Sequence, residues 1–208
     1  DLRSEDGLYR PHYYVPPEDL LSHSYFIKHP KAFFHFYRDK MLVLDAQPNC
    51  AHLALAKLES KRKLSAVVTQ NIDGLHQKAG SSTVYELHGS IWRNYCMNCG
   101  RFYPVKAIID STDIPYCSCG GIIKPDVVLY EEALDERVVR AAVDAIRKAD
   151  LLIIGGTSLA VYPAAGLIRY YQGEQLVMIN RSPTPADSEA TLLINSSIGE
   201  VFKNISEE

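Results

Sequence analysis

Two patterns of apolar residues alternate from residue 51 onward. Short continuous apolar runs, which predict buried β-strands, occupy 64–69, 151–154 and 176–179. Apolar residues at helical spacing occupy 51–58, 137–149 and 163–171. Short buried strands that alternate with helices are typical of a parallel sheet covered by helices on both faces. The pattern therefore predicts an α/β fold.

The first fifty residues differ from this pattern because they are rich in aromatic residues and poor in strand-like alternation. The run Pro-Pro-Glu-Asp at 16–19 predicts a helix start, with proline in the first turn and acidic residues near the positive end of the helix dipole. A second helix is expected to open at Pro30. Since buried aromatic residues contribute strongly to core energetics, we expect the aromatics of this region to pack between helices.

Small and hydrogen-bonding residues follow each of the three predicted strands. They are Gln70, Asn71, Ile72 and Asp73 after the first strand, Gly156, Thr157 and Ser158 after the second, and Asn180 and Arg181 after the third. Ligands of parallel sheets bind outside the carboxyl ends of the strands, so this placement suits a nucleotide. The chain lacks an intact G-x-G-x-x-G motif, and ordinary polar loops after strands are the alternative.

The bulk composition narrows the classes of function. The 208 residues are 47% hydrophobic, and 22 Lys and Arg against 25 Asp and Glu leave a net charge of −3. This balance argues against direct nucleic-acid binding, which requires a concentrated basic face. No apolar run approaches the roughly 20 residues of a membrane span. We therefore expect a cytoplasmic protein without a membrane partner.

Four of the five cysteines form two close pairs, Cys96 with Cys99 and Cys117 with Cys119, separated by 17 residues. This spacing is similar to that of a four-thiolate zinc ribbon, although the second pair is one residue shorter than usual. Two disulfides and free structural thiols are the alternatives. With four thiolates around one Zn²⁺ no position remains for substrate, so the predicted ion is structural.

Several motifs, taken together and in this order, resemble the sirtuin family. They are Thr-Gln-Asn-Ile-Asp at 69–73, Glu-Leu-His-Gly at 86–89, the paired cysteines, Lys-Pro-Asp-Val-Val at 124–128, Gly-Thr-Ser-Leu at 156–159 and Ile-Asn at 179–180. Sirtuins are NAD-dependent protein lysine deacylases, and the resemblance covers nearly the whole chain. It implies a Rossmann-like large part at about 1–9, 51–92 and 123–208, a helical insert at about 10–50 and a zinc-binding module at about 93–122.

The resemblance implies a role for each matching residue. His88 matches the catalytic base, and Asn71 and Asp73 match the pocket for the nicotinamide amide. The other matches to the NAD site are Asp1, Arg3, Gln70, Ile72, Gly156, Thr157, Ser158, Asn180 and Arg181. The matches to the site for an acetylated peptide, bound as an extended strand, are Phe34, Val127, Val128, Leu129 and Tyr130. His76 is interpreted as structural.

Three departures from the family pattern bear on substrate and rate. The family's Gly-Ala-Gly phosphate loop is expected before Asp1, and its Asp-Phe-Arg corresponds to Asp-Leu-Arg at 1–3. Its Phe-Gly-Glu corresponds to Tyr-Glu-Glu at 130–132, which places a side chain where glycine is usual.

On the helix that lines the acyl site we expect Phe34 and Tyr37, which offer no guanidinium to a succinyl carboxylate.

Two other functions are compatible with parts of the sequence. A protein mono-ADP-ribosyltransferase would use the same cofactor, and a non-catalytic zinc-ribbon module would use only the cysteines. The negative net charge and the polar residues at the strand ends argue against the zinc-ribbon module. The sequence therefore favours a deacetylase that uses acetyl-lysine or a longer apolar acyl-lysine.

Overall fold

The computed structural model describes residues 16–206, and Asp1 and Arg3 lie outside them. The chain divides into two compact units. The first contains the described residues up to Asp45 together with Asn71–Asp73 and His88–Leu134. The second contains Ala46–Gln70, Gly74–Leu87 and the described residues from Asp135 onward.

The helices of the first unit are short and follow one another closely. They are α1 (Pro17–Leu20), α2 (His23–Lys28), α3 (Pro30–Phe36) and α6 (Lys106–Ile109), and a π-helical turn, Tyr37–Met41, continues α3. Pro30 occupies the first turn of α3, where its missing N–H removes no helical hydrogen bond. The Ser22 side chain accepts a hydrogen bond from the Tyr25 N–H and so caps α2. The two predicted helix starts in this region are confirmed.

An antiparallel three-stranded sheet completes the first unit. Its order is β4 (Phe102–Pro104), β3 (Gly89–Cys96) and β5 (Ile123–Val127). The register between β3 and β5 shifts between Ser90 and Asn94, which is a β-bulge. Bulges increase local twist and redirect side chains, and this one follows directly after the turn that carries His88.

Aromatic side chains dominate the core of the first unit. Phe26, Phe33, Phe34 and Tyr37 are almost fully buried there. The Phe33 ring stacks on Tyr37 at 5.7 Å and meets Phe34 edge-on at 5.4 Å, both favourable aromatic geometries. The expected packing of the N-terminal aromatics between helices is therefore observed.

The second unit contains only parallel strand pairs. β1 (Val67–Thr69) pairs with β2 (Val84–Glu86), and β7 (Gln175–Ile179) lies between β6 (Leu151–Gly155) and β8 (Leu192–Ile194). The three predicted strands are observed, although the first begins at Val67 instead of residue 64. These pairs form two separate sheets, one of two strands and one of three, and parallel strands connected by helices are the expected α/β architecture.

The helices of the second unit are α4 (Cys50–Ser60), α5 (Leu75–Lys78), α7 (Glu136–Lys148) and α8 (Ile198–Ser206). Asn49 and Asp135 cap α4 and α7 by accepting hydrogen bonds from main-chain N–H groups of the first turn. The predicted helix at 163–171 is a 3-10 helix, Ala164–Tyr170. Its apolar spacing does not distinguish the two helix types. None of the helices within residues 16–206 is long and apolar enough to span a membrane.

Candidate active site and metal centre

His88 lies in the turn between β2 and β3 and is half-buried. Its main-chain carbonyl accepts a hydrogen bond from the Val128 N–H at 3.0 Å. The next residue, Gly89, has φ +77°, and a Cβ there would lie 1.8 Å from the Asp126 carbonyl oxygen. Only glycine fits this close main-chain approach. The turn is therefore held against β5, and the backbone of His88 is fixed with it.

The segment after β1 runs along β3 in the same unit. The Ile72 carbonyl accepts a hydrogen bond from the Ile91 N–H at 3.0 Å, and the Asp73 carbonyl accepts one from the Trp92 indole at 2.8 Å. Ile72 packs against the aromatic core, whereas Asn71 is exposed. These bonds hold the main chain that follows Asn71 against β3. Gln70 is half-buried and belongs to the second unit.

Asn180 organises the polar strand ends of the second unit. It is 6% exposed, and its Oδ1 accepts a hydrogen bond from the Thr157 N–H at 3.0 Å. Its Nδ2 is buried and has no hydrogen-bond partner among the described residues. Gly156 has φ +63°, while Ser158 and Arg181 are exposed. A buried amide donor that lacks a protein partner suits a polar ligand such as a ribose hydroxyl.

The four predicted zinc ligands converge in the first unit. Their sulfurs lie within 4.8 Å of one another, with Cys96 at 3.4 Å from Cys119 and Cys99 at 3.7 Å from Cys117. Tetrahedral Zn–S bonds of about 2.3 Å place sulfurs about 3.8 Å apart. All four residues are free cysteines, so the predicted disulfide alternative is not observed. The thiol set fits one zinc ion, and His88 is not part of it.

Tyr103 on β4 is a contact of the metal centre that sequence reasoning missed. Its hydroxyl donates a hydrogen bond to the Cys117 sulfur at 3.1 Å. The Cys119 backbone N–H and this hydroxyl lower the pKa of Cys117 to about 5, which favours the thiolate that binds metal. A tyrosine in a short strand carries no sequence signal for this contact, because strand pairing alone brings it to the cysteines.

The predicted peptide-binding segment is held by bonds within the first unit. Val127 ends β5, and Tyr130 forms a parallel bridge with Ser22. The Tyr130 N–H donates to the Leu21 carbonyl at 3.0 Å. The Leu129 N–H donates to a Glu132 carboxylate oxygen at 2.9 Å. Val127 and Leu129 are buried and Tyr130 is exposed, so the segment offers one apolar and one accessible face.

Glu132 links the predicted peptide-binding segment to the side chains of Lys124 and His23. Its carboxylate lies 3.0 Å from the Lys124 Nζ and 2.8 Å from the His23 Nδ1. Burial by itself raises the pKa of Glu132, but the Leu129 N–H, His23 and the charge of Lys124 hold it below its usual value. The Lys124 ammonium also donates to the Val127 carbonyl at 3.0 Å. Sequence reasoning placed Glu132 at the end of the predicted peptide-binding strand but did not predict its contact with His23, because that contact depends on the tertiary fold.

Phe34 lies in the aromatic core and is fully buried, with its ring 5.9 Å from that of Phe26. The Tyr37 hydroxyl is buried as well and has no hydrogen-bond partner among residues 16–206. Both side chains pack in a cluster of aromatic and aliphatic residues. A guanidinium lies beside this cluster, since the Arg38 Cζ is 5.6 Å from the centre of the Phe34 ring, but its Nε and one Nη donate to the Ile108 carbonyl and the Ser111 hydroxyl.

Comparison with known proteins identifies the family. A model of the Sir2 family matches residues 1–163. The NAD-dependent protein deacetylase of Clostridium acetobutylicum is 58% identical over 99% of this chain and 85% of its own length. That of Staphylococcus aureus strain N315 is 44% identical over all of this chain and 83% of its own length.

Solved structures agree with the sequence comparison. A Sir2 bound to a p53 peptide and NAD⁺ is 39% identical, with a TM-score of 0.86 over 96% of this chain and 85% of that one. A Sir2 bound to a propionylated peptide is 38% identical, with a TM-score of 0.87 over 95% of this chain and 85% of that one. The predicted α/β fold and the predicted deacetylase family are therefore confirmed, and the chain belongs to the Sir2 family.

Proposed function

We propose that His88 and Asn71 are the catalytic residues of this NAD-dependent protein lysine deacetylase. The single observation that carries the assignment of His88 is its main-chain bond to Val128, next to a glycine that no other residue can replace. Such a backbone holds the imidazole within narrow limits, which a general base requires. Imidazole is also the side-chain group that changes charge closest to neutral pH.

In the proposed mechanism the neutral imidazole of His88 would take a proton from a ribose hydroxyl of bound NAD and so activate that oxygen as the acceptor of the acyl group. Asn71 orients the leaving amide, because a side-chain amide offers both donors and an acceptor to another amide. Asn71 is exposed and the residues that follow it are bonded to β3, so its position is fixed through the main chain.

NAD, when bound, supplies the ADP-ribosyl group that receives the acetyl group of the substrate. The proposed contacts to it are Gln70, Asn71, Ile72, Asp73, Gly156, Thr157, Ser158, Asn180 and Arg181, together with Asp1 and Arg3 outside the described residues. The buried Nδ2 of Asn180 supports this proposal, because a ribose hydroxyl would provide its missing acceptor. Asn180 also orients the Thr157 N–H.

The proposed zinc ion is structural and takes no part in the reaction. Cys96, Cys99, Cys117 and Cys119 would hold it with all four positions filled. The end of β3 and two later segments of the chain meet at these thiols, so the ion would supply part of the folding free energy of the module. Close pairs of free thiols also support a reducing, cytoplasmic compartment.

The proposed substrate is an acetylated protein or peptide that binds as an extended strand beside Val127, Val128, Leu129 and Tyr130, with Phe34 near the acyl group. The separation of buried and exposed side chains along this segment supports strand-like recognition. Recognition through the main chain requires little sequence specificity. The proposal includes no nucleic acid or membrane as a partner.

The test is the His88→Ala variant with an acetyl-lysine peptide and NAD. We expect the turnover number to fall by 10²-fold or more, with zinc content and thermal unfolding unchanged, because the main-chain bond to Val128 remains. His35→Ala, which changes an exposed histidine on α3, is the matched control and should keep wild-type turnover.

Mass spectrometry of the products separates the alternatives. Acetyl-ADP-ribose and free lysine identify deacetylation, whereas ADP-ribose on protein side chains identifies the transferase. Turnover that survives in His88→Ala would exclude His88 as the base.

A further inference from the structure

We propose that Glu131 is a positioning residue for the peptide substrate. Its carboxylate anchors the residue to Ser24 on α2 and so holds the main chain at 131 in the conformation that receives the peptide. The inference rests on the proposed function of segment 127–130 as the peptide-binding strand.

The backbone at Glu131 has an unusual conformation. Its φ is +76°, in the left-handed region that L side chains other than Asn and Asp rarely adopt. Glycine would adopt this conformation without strain, yet the chain has glutamate here. A strained residue persists only where surrounding contacts determine it. Some contact of the side chain must therefore offset the strain.

Ser24 provides that contact. Its main-chain N–H donates to one carboxylate oxygen of Glu131 at 2.9 Å, and its hydroxyl donates to the other oxygen at 2.9 Å. Both oxygens are thus engaged by one residue near the start of α2. Hydrogen bonds from Ser24 hold the pKa of Glu131 below its usual value, so the carboxylate stays charged at neutral pH. Charged acceptors form the stronger class of hydrogen bond.

The donors of the preceding residues are already in use. The N–H groups of Val128, Leu129 and Tyr130 donate to His88, Glu132 and Leu21 respectively. The Tyr130 carbonyl accepts a hydrogen bond from the His23 N–H at 2.9 Å. Within residues 16–206, the Glu131 N–H donates to no protein acceptor. The main-chain donor that can pair with a peptide at this end of the segment is therefore the Glu131 N–H. The φ of Glu131 sets the direction of this N–H relative to the anchored side chain.

A second explanation would give the carboxylate a direct role as a negative charge that selects basic residues in the substrate. The geometry favours the first explanation, in which the carboxylate anchors Glu131 to Ser24, since both carboxylate oxygens already accept hydrogen bonds from Ser24. The two explanations differ in what each substitution preserves. Glycine keeps the backbone conformation without the charge. Glutamine removes the charge but can still accept from the Ser24 N–H and donate its amide N–H to the Ser24 hydroxyl oxygen. Alanine keeps neither the conformation nor these contacts.

The experiment compares Glu131→Ala, Glu131→Gly and Glu131→Gln in steady-state deacetylation of an acetyl-lysine peptide. Glu131→Ala should raise the KM for the peptide fivefold or more and leave the KM for NAD within twofold. Glu131→Gly and Glu131→Gln should keep the peptide KM within twofold of the wild type. Ser24→Ala, which removes only the hydroxyl contact, should raise the peptide KM in the same direction by a smaller factor.

Arg62→Gly is the matched control, because Arg62 also has a positive φ, +59°, and lies in the other unit. It should leave the peptide KM unchanged. A peptide KM within twofold of the wild type in Glu131→Ala would overturn the anchor. Equal losses in the alanine, glycine and glutamine variants would also overturn it, and would favour a charge that contacts the substrate.

Failure of this inference is distinguishable from failure of the proposed function. If wild-type protein forms no acetyl-ADP-ribose, or if His88→Ala remains active, the proposed function fails. If wild-type protein is active, His88→Ala is inactive and Glu131→Ala behaves like the wild type, only the anchor fails. Thermal unfolding of every variant shows whether a change in KM accompanies a loss of folded protein.

Discussion

The carbonyl oxygen of His88 accepts a hydrogen bond from the Val128 N–H at 3.0 Å. This bond joins the turn that carries the proposed base directly to the segment proposed to bind the peptide. Both residues belong to the same compact unit. A displacement of either main chain is therefore expected to change both the position of the imidazole and the path of the substrate.

Gly89→Ala should disrupt this arrangement. The added methyl would lie 1.8 Å from the Asp126 carbonyl oxygen, so β3 and β5 must separate and the His88 turn must move. We expect a loss of at least about 3 kcal/mol in the free energy of unfolding, a large effect for one substitution. The turnover number of the remaining folded enzyme should fall at least tenfold. Urea unfolding and steady-state kinetics measure the two effects.

Gly80→Ala is the control that separates backbone strain from collision. Gly80 has φ +105°, but a Cβ there would meet only the Ala56 Cβ at 3.9 Å. We expect a loss of about 1–2 kcal/mol from the positive φ alone and an unchanged turnover number. Equal losses in the two variants would show that the contact with Asp126 does not determine the turn.

Tyr103→Phe should weaken the retention of zinc. The substitution removes the hydroxyl that donates to the Cys117 sulfur at 3.1 Å but keeps the ring. Outer-shell partners of metal ligands typically contribute 10-fold or more to metal affinity. We expect faster transfer of zinc to a chromogenic chelator and normal turnover while zinc is bound. Tyr95→Phe, which alters an exposed tyrosine on β3, should release zinc at the wild-type rate.

Acyl preference follows from the apolar surroundings of Phe34 and Tyr37. A succinyl carboxylate would be desolvated there, and the guanidinium of Arg38 beside Phe34 already donates to Ile108 and Ser111, so placing the carboxylate is unfavourable. We expect kcat/KM for a succinyl-lysine peptide to be at least tenfold below that for the acetyl-lysine peptide. The propionyl-lysine peptide should remain a substrate. Equal efficiencies for succinyl and acetyl peptides would contradict the proposed acyl site.

Tyr37→Phe should leave the protein equally stable or make it more stable. Burial strongly raises the pKa of the Tyr37 hydroxyl, with a further contribution from the charge of Asp126, so the group is neutral. Because this hydroxyl has no partner among the described residues, removing it eliminates a desolvation cost of about 1–3 kcal/mol. Urea unfolding measures the difference. A loss of stability above about 1 kcal/mol would show that the hydroxyl has a partner.

Glu132 should make stability depend on pH in acid. Its pKa is lower in the folded protein than its usual value of 4.5, so its contribution is complete above that value and is lost as the pH falls through the folded pKa. The difference in unfolding free energy between wild type and Glu132→Gln should be larger at pH 6 than at pH 4, because only the wild type loses a carboxylate charge in acid. It should narrow below pH 4.5. A difference that widens in acid would contradict this sign.

Much of the fold and of the candidate site was predicted from short segments of the sequence. The strand ends, the cysteine pairs and the glycine after His88 are read over a few neighbouring residues, and the strands at 151–155 and 175–179 are observed close to their predicted positions. The helix type at 164–170 was not predictable, since helical spacing is similar in both types. The predicted boundaries of the helical insert and the zinc module stay predictions.

The sequence by itself determined the family, the α/β class, the zinc ligands and the candidate base, because each depends on residue type and on spacing along the chain. Only the tertiary structure decided which distant groups meet. Ser24 with Glu131 and Tyr103 with Cys117 are separated by 107 and 14 positions. Such contacts depend on how helices and strands pack, and no short sequence pattern encodes that packing. The positive φ of Glu131 is likewise visible only in the tertiary structure.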